Sequence, residues 1–292
     1  MKLKEVLESA EDSSVNFIFT GNFPGYFEAR YVRRKPDYFV CYLSSQSGCS
    51  MGCTMCHLTA TGQKDNSSAT IEQLLTQART VLNWYEQNSP EAKVVHFNFM
   101  ARGEALVNPF ILSDNQKLFR YLAEESLESF GLFPRFLVST IMPGSVLKQT
   151  LTDIFPVIHP EIYYSIYSVR EKFRDKWLPH TIPVSEALAK LKEYQDLTRK
   201  IPKLHFCFIE GENDGEDDVV ELCKTVKMSG LIIDVNIVRY NPPSPKLGQE
   251  SPEDIIVRNV EIIRQWLPFA EVRVIPRVGF DVKASCGMFI PK

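Results

Sequence analysis

From residue 38 onward, short apolar runs alternate with longer stretches whose apolar positions recur every three or four residues. The runs are Tyr38–Leu43, Val94–Met100, Arg135–Thr140, Ile162–Tyr167, Leu204–Ile209, Ile232–Val238 and Val272–Ile275. Their length and β-branched content predict strands. Helical spacing marks Ile71–Gln87, Gln116–Leu127, Val184–Thr198, Asp217–Met228 and Pro252–Trp266. Strands alternating with helices of this length imply a parallel α/β sheet. Such units close fully or partly into a barrel, or wind both ways as an open sheet. In either case the ligand site lies at the carboxyl ends of the strands.

Ahead of this rhythm, residues 1–14 read as a short helix with a polar tail. Residues 15–34 read as a hairpin around Gly21-Asn22-Phe23-Pro24-Gly25. The expected division is therefore 1–36 for this extension and 37–292 for one core domain. No repeat or low-complexity segment interrupts the core.

The 292 residues carry 44% hydrophobic and 24% charged side chains, an ordinary globular balance. No run reaches the ~18 apolar residues of a membrane span. Met1 to Glu8 is too acidic, and too short in apolar length, for an export signal. A cytoplasmic protein with reduced thiols is expected. The net charge of −3 is not that of a strong nucleic-acid binder. Local patches, Arg30 to Lys35 and Arg273, Arg277 and Lys283, could still steer RNA.

Directly after the first core strand comes Cys49-Ser50-Met51-Gly52-Cys53-Thr54-Met55-Cys56. Three thiolates spaced CxxxCxxC can hold three irons of a [4Fe–4S] cluster and leave the fourth open to chelate a small molecule. This is how radical enzymes bind S-adenosylmethionine (SAM). Structural zinc wants a second ligand pair, and none follows. Cys53 to His57 also matches the haem-attachment pattern, but that belongs to exported proteins. A disulfide is disfavoured in a reducing compartment.

The residues after the other strands would line the same pocket. Gly103-Glu104 allows close approach and offers an acceptor for the SAM ammonium. Ser139 and Ser165 could bind ribose or carboxylate, and Tyr167 follows the fourth strand. Asn241, in a proline-stiffened loop, could read an adenine or ribose edge. Cys286, six residues from the C-terminus, reads as a loop thiol able to reach the open strand ends.

Taken together, these residues resemble one branch of the radical SAM superfamily. Its members are dual-specificity methyltransferases of adenine C2 in ribosomal and transfer RNA, together with C8-methylating resistance enzymes. The similarity runs from Glu28 to Met288. It includes Ser44-Ser45-Gln46-Ser47-Gly48-Cys49, Gly103 to Asn108, Val138-Ser139-Thr140, Ser165-Ile166-Tyr167, Arg170 to Pro179, Asn213-Asp214, Asn241-Pro242 and Ala284-Ser285-Cys286-Gly287. The leading Ser-Ser-Gln and the trailing Ala-Ser-Cys-Gly single out the branch.

The resemblance implies a partial (βα)6-type barrel. It further implies two uses of SAM, one methylating Cys286 and one cleaved reductively at the cluster. The resulting radical takes a hydrogen from the Cys286 methyl group, which then adds to the adenine carbon. Glu28 aligns with a family glutamate read as a proton acceptor. A second cysteine should release the product, but that position is Tyr42 here. Cys41, one residue earlier, should reach the site only through a bulge. Other departures are Ala101-Arg102 for Gly-Met, Ala105 for Pro, Tyr167 for His, and Met55 for an aromatic residue. The chain ahead of the first core strand is short where family members carry an accessory domain.

The expected substrate is thus rRNA or tRNA, with a flavodoxin- or ferredoxin-type electron donor, a monomeric enzyme and no membrane partner. The alternatives are a radical SAM enzyme on a non-RNA substrate and a non-catalytic iron–sulfur or SAM-binding protein.

Overall fold

In the computed structural model, which describes residues 1–88 and 91–291, the core strands divide their side chains between two unlike faces. Phe39, Cys41 and Leu43 turn one way with Val95, Phe97 and Phe99, into the buried apolar core. Tyr38, Val40 and Tyr42 turn the other way with Val94, His96 and Asn98, and line an inner cavity. The same alternation separates Leu204 and Phe206 from Lys203 and His205 further along the sheet.

The strands are β1 (Lys2–Glu8), β2 (Val15–Thr20), β3 (Phe27–Lys35), β4 (Tyr38–Tyr42), β5 (Val94–Phe99), β6 (Phe133–Thr140), β7 (Glu161–Tyr164), β8 (Lys203–Phe206), β9 (Asp234–Ile237) and β10 (Val272–Val274). They form one ten-stranded sheet in chain order. Pairing is antiparallel from β1 to β4 and parallel from β4 to β10. Strands from β3 to β10 all contribute to the cavity wall, so the sheet curves around it. The expected partial barrel is borne out as six strand–helix units and a seventh parallel strand.

The helices are α1 (His57–Ala60), α2 (Ile71–Asn88), α3 (Pro109–Phe130), α4 (Leu151–Ile154), α5 (Glu171–Trp177), α6 (Val184–Thr198), α7 (Glu216–Met228) and α8 (Glu253–Trp266). Each of the longer ones buries an apolar stripe, such as Leu74, Leu75, Ala78, Val81 and Leu82 on α2. Helix α3 begins earlier than its periodicity indicates. Asn108 Oδ1 caps it by accepting from the backbone N–H groups of Phe110 and Ile111, and Pro109 occupies the first turn. No described helix is long and apolar enough to cross a membrane.

The N-terminus departs from expectation. Residues 2–8 are not helical but form β1, paired along β2 with a register shift between Leu3 and Glu5. Seven mostly exposed residues bury too little to stabilise a helix, whereas the ladder of β2 satisfies their backbone. The hairpin at residues 15–34 is present as β2–β3. Because β3 pairs with β4, this segment continues the core sheet rather than standing apart from it.

Candidate active site

The segment after β4 fixes the first wall of the site. Ser44 Oγ accepts from the backbone N–H groups of Glu28 (2.9 Å) and Arg102 (3.1 Å). Gln46 N–H donates to Arg102 O (3.1 Å), and Gln46 Oε1 accepts from Glu104 N–H (3.2 Å). The Ser-Ser-Gln stretch therefore grips the loop after β5. Gly103, at φ +92°, is required there: a Cβ would lie 2.6 Å from Gln46 Cβ and 2.7 Å from Ser45 Oγ.

Cys49, Cys53 and Cys56 follow on the loop leading to α1, all half-buried. Cys49 N–H is tied to Gln63 O and Thr54 N–H to Trp177 O (both 3.0 Å), which fix the loop against its surroundings. Burial pushes the Cys49 thiol up to about 12, and raises those of Cys53 and Cys56 as well. The charge of neighbouring cysteines raises Cys49 and Cys53 further. The backbone N–H groups of Met51, Leu58 and Thr59 oppose this and draw the thiols of Cys49 and Cys56 back down.

Three thiols on one loop at CxxxCxxC spacing have the donor chemistry of an iron–sulfur cluster, whose charge would hold them as thiolates. Among the described residues, no three His, Cys, Asp or Glu side chains converge as ligands of a single ion would.

Glu104 is buried beside Cys49 and Cys53. Its Oε1 accepts from Leu106 N–H (3.1 Å) and its Oε2 from Ile141 N–H (3.0 Å). Burial raises its carboxyl to about 7. A carboxylate so desolvated is a ready partner for an ammonium group.

The Cys286 loop closes over these elements. Asn241 Nδ2 donates to Cys286 O (2.9 Å) and Ser285 Oγ (3.1 Å), while Asn241 Oδ1 is buried without a partner. An orphaned acceptor at this position suits a ligand's N–H or hydroxyl. His57 N–H donates to Gly287 O (3.1 Å). Burial raises the Cys286 thiol to about 11, while Arg30 and Arg34 draw it down.

Tyr167 stands at φ +55°, a conformation non-glycine residues adopt at a cost. It lies within electrostatic reach of Cys207, Cys53, Cys56 and Cys286. Asn213 Nδ2 clamps the arrangement by donating to Tyr167 O (2.9 Å) and Cys207 O (3.0 Å). Ser139 Oγ instead donates to Asn98 Oδ1 (3.3 Å), and Ser165 is half-buried with its N–H on Thr140 O.

Two expected catalytic residues lie elsewhere. Cys41 does not reach the site. Strand β4 pairs without interruption along β5 from Tyr38 to Tyr42, so no bulge turns its thiol inward. The side chain lies in the apolar core, where burial raises the thiol far above its usual range, and Tyr42 faces the cavity.

Glu28 is fully buried, and its carboxylate is taken up by Arg30 and Arg102 (both 2.8 Å), Asn16 Nδ2 (3.2 Å) and Ile290 N–H (3.0 Å). Arg30 in turn donates to Ala284 O (3.1 Å) and Met288 O (2.6 Å). Glu28 thus ties the segment around Cys286 to β3, with both carboxylate oxygens already engaged by donors.

The sequence reading missed Arg30 in this role, counting it within a steering patch. It also missed Asn213 as the residue that ties Tyr167 to Cys207. The only local signal was the departure at Arg102, a cation where the resembling family has an apolar residue.

No family model matches the chain. It is 29% identical over 264 residues to the probable dual-specificity RNA methyltransferase RlmN of Frankia alni, covering 88% of this chain and 60% of that protein. It is 29% identical over 261 residues to the ribosomal RNA large subunit methyltransferase Cfr of Staphylococcus warneri, covering 84% of this chain and 67% of that protein. The chain therefore spans about two thirds or less of these relatives' length. Its fold matches a radical SAM methyltransferase from Sphaerobacter thermophilus with a TM-score of 0.82 at 20% identity, over all of this chain and 81% of that one. By sequence along most of its length this chain is similar to dual-specificity and ribosomal RNA methyltransferases, and along all of its length it has the fold of a radical SAM methyltransferase.

Proposed function

We propose that this protein is a radical SAM methyltransferase that methylates an adenine carbon, C2 or C8, in RNA through a methylated Cys286. The observation that carries the reading is the position of Cys286. It lies within electrostatic reach of Cys56 and Tyr167, on a loop pinned by Asn241, Arg30 and His57. A tail thiol without a role has no need of these anchors.

A [4Fe–4S] cluster on Cys49, Cys53 and Cys56, with SAM chelated to it, would supply reductive cleavage and hydrogen-atom abstraction at the thiol-borne methyl group. Glu104 would receive the SAM ammonium. Asn241 Oδ1 would accept from its adenosine half, and Gly103, Ser139, Ser165 and Tyr167 would complete the lining. The chain would act as a cytoplasmic monomer, with a flavodoxin- or ferredoxin-type protein delivering the electron. Relatives named for rRNA and dual-specificity RNA methylation favour an rRNA or tRNA substrate.

The test is intact mass and product analysis of anaerobically purified protein. A species heavier by one methylene, absent from Cys286→Ala, is expected, with both S-adenosylhomocysteine and 5′-deoxyadenosine formed on RNA. Stoichiometric zinc without iron would overturn the reading. 5′-Deoxyadenosine without S-adenosylhomocysteine would assign the scaffold to a non-RNA substrate.

A further inference from the structure

Arg102 is a fully buried cation on the loop after β5. Its backbone is held between Ser44 Oγ and Gln46 N–H (both 3.1 Å). Its side chain reaches the segment that carries the three cysteines. Arg102 Nη2 donates to Gln63 Oε1, and the Gln63 carbonyl accepts from Cys49 N–H (3.0 Å). A single residue, Gln63, thus links this guanidinium to the backbone of a proposed cluster ligand.

Arg102 shares one carboxylate with a second cation. Glu28 Oε1 accepts from Arg102 Nη1 and Glu28 Oε2 from Arg30 Nη2, both at 2.8 Å. The other acceptors of the two guanidinium groups are neutral: Gln63 Oε1 and the carbonyls of Ala284, Ser285, Met288 and Ile290. Two cations and one anion leave this group with a net charge of +1, and all three side chains are buried. Phe289 covers it, with its ring centroid 4.8 Å from Arg30 Cζ and 5.8 Å from Arg102 Cζ.

A buried charge without full compensation costs stability. Arg102 Nε, buried and without an acceptor, adds to that cost. Tying the C-terminal segment to β3 needs only one cation on Glu28, and Arg30 supplies it while bonding Ala284 O and Met288 O. The second cation therefore calls for another reason. Burial raises the Cys56 thiol, and the charges of Arg102 and Arg30 oppose that rise. Both cations thus act at the sulfur of the last cluster cysteine.

A [4Fe–4S] cluster on three thiolates is anionic and gains one more negative charge on reduction. Net charge and burial are levers by which a protein sets its potential. A fixed cation in a water-poor interior favours the more negative, reduced form and is weakly screened there.

We infer that Arg102, with Arg30 and Glu28, forms a buried cationic group that raises the reduction potential of a cluster on Cys49, Cys53 and Cys56. Arg102 is then a tuning residue, neither a ligand nor a source of electrons or protons. The inference rests on the iron–sulfur reading above, but on neither the substrate nor the methyl group of Cys286.

The experiment is a potentiometric titration of the reconstituted full chain without SAM, followed by electron paramagnetic resonance of the one-electron-reduced cluster. Iron and sulfide content is measured first. Arg102→Met keeps the length of the side chain and leaves Glu28 paired with Arg30, so no buried charge is stranded. It should lower the equilibrium constant for reduction about tenfold, a shift of about 59 mV to more negative potential. Arg102→Lys should stay close to the parent. Glu28→Gln, which removes the one anion of the group, should shift the potential the other way.

A purely structural role would change cluster content or melting temperature and leave the potential where it was. An unchanged potential in Arg102→Met, or an equal shift in Arg102→Lys, would overturn the inference. If Arg102→Met holds no cluster, Glu28→Gln decides: a raised potential upholds the inference and an unraised one overturns it. A parent chain holding zinc without iron would overturn the iron–sulfur reading and the inference with it. An iron-loaded parent whose variants keep its potential would overturn the inference alone.

Discussion

Replacing Glu28 separates a clamp from a catalytic base. Its side chain is 0% exposed, and the guanidinium groups it neutralises are 4% (Arg30) and 0% (Arg102) exposed. Glu28→Gln keeps the shape but leaves both cations without their counter-charge. Removing one partner of a buried ion pair costs about 3–5 kcal/mol, because the remaining charge stays desolvated. A chain of this size loses about 2–4 °C of Tm per kcal/mol, so a fall of roughly 10 °C is expected.

The damage should also be local. Ile290 N–H loses its acceptor, and Arg30 loses the anchor that aims it at Ala284 O and Met288 O. Thermal denaturation and hydrogen exchange of residues 282–290 are the assays, with Glu125→Gln as control. Glu125 pairs with the exposed Arg79, an interaction worth about 0–1 kcal/mol. If Glu28→Gln keeps its Tm and its tail protection but loses methylation, the carboxylate is a proton acceptor and the clamp argument is wrong.

Two further outcomes follow from the site. Cys41→Ala should turn over like the parent, with no slow-migrating RNA–protein adduct on denaturing gels and a stability loss of about 1 kcal/mol for the lost core packing. An accumulating adduct would place Cys41 in the chemistry after all. Binding of SAM to the cluster-loaded protein should weaken as pH falls, because burial raises the Glu104 carboxyl, to about 7 before a cluster is bound. The ammonium needs the ionised carboxylate, which must first lose its proton. Glu104→Gln should bind weakly with that dependence removed, and an unchanged pH profile in this variant would point to another group.

The cluster loop, the Gly103-Glu104 turn, Asn241 and Cys286 are legible in the sequence because each is a contiguous motif placed by its strand. The alternating strands and helices likewise announce a parallel α/β sheet, since burial on a covered sheet imposes apolar runs that need no knowledge of partners. What the runs concealed was their inner face. His96, Asn98, Tyr163 and His205 interrupt them only at every second position, and whether those positions meet a core or a cavity depends on how far the sheet curves. The first strand lacked even this signal, because an exposed edge segment takes its conformation from the neighbour it pairs with. The roles of Glu28, Arg30 and Arg102 were out of reach for the same reason. Their partners lie up to 262 residues away in the chain, and only tertiary folding brings such charges together and removes the water that would otherwise make their pairing nearly worthless.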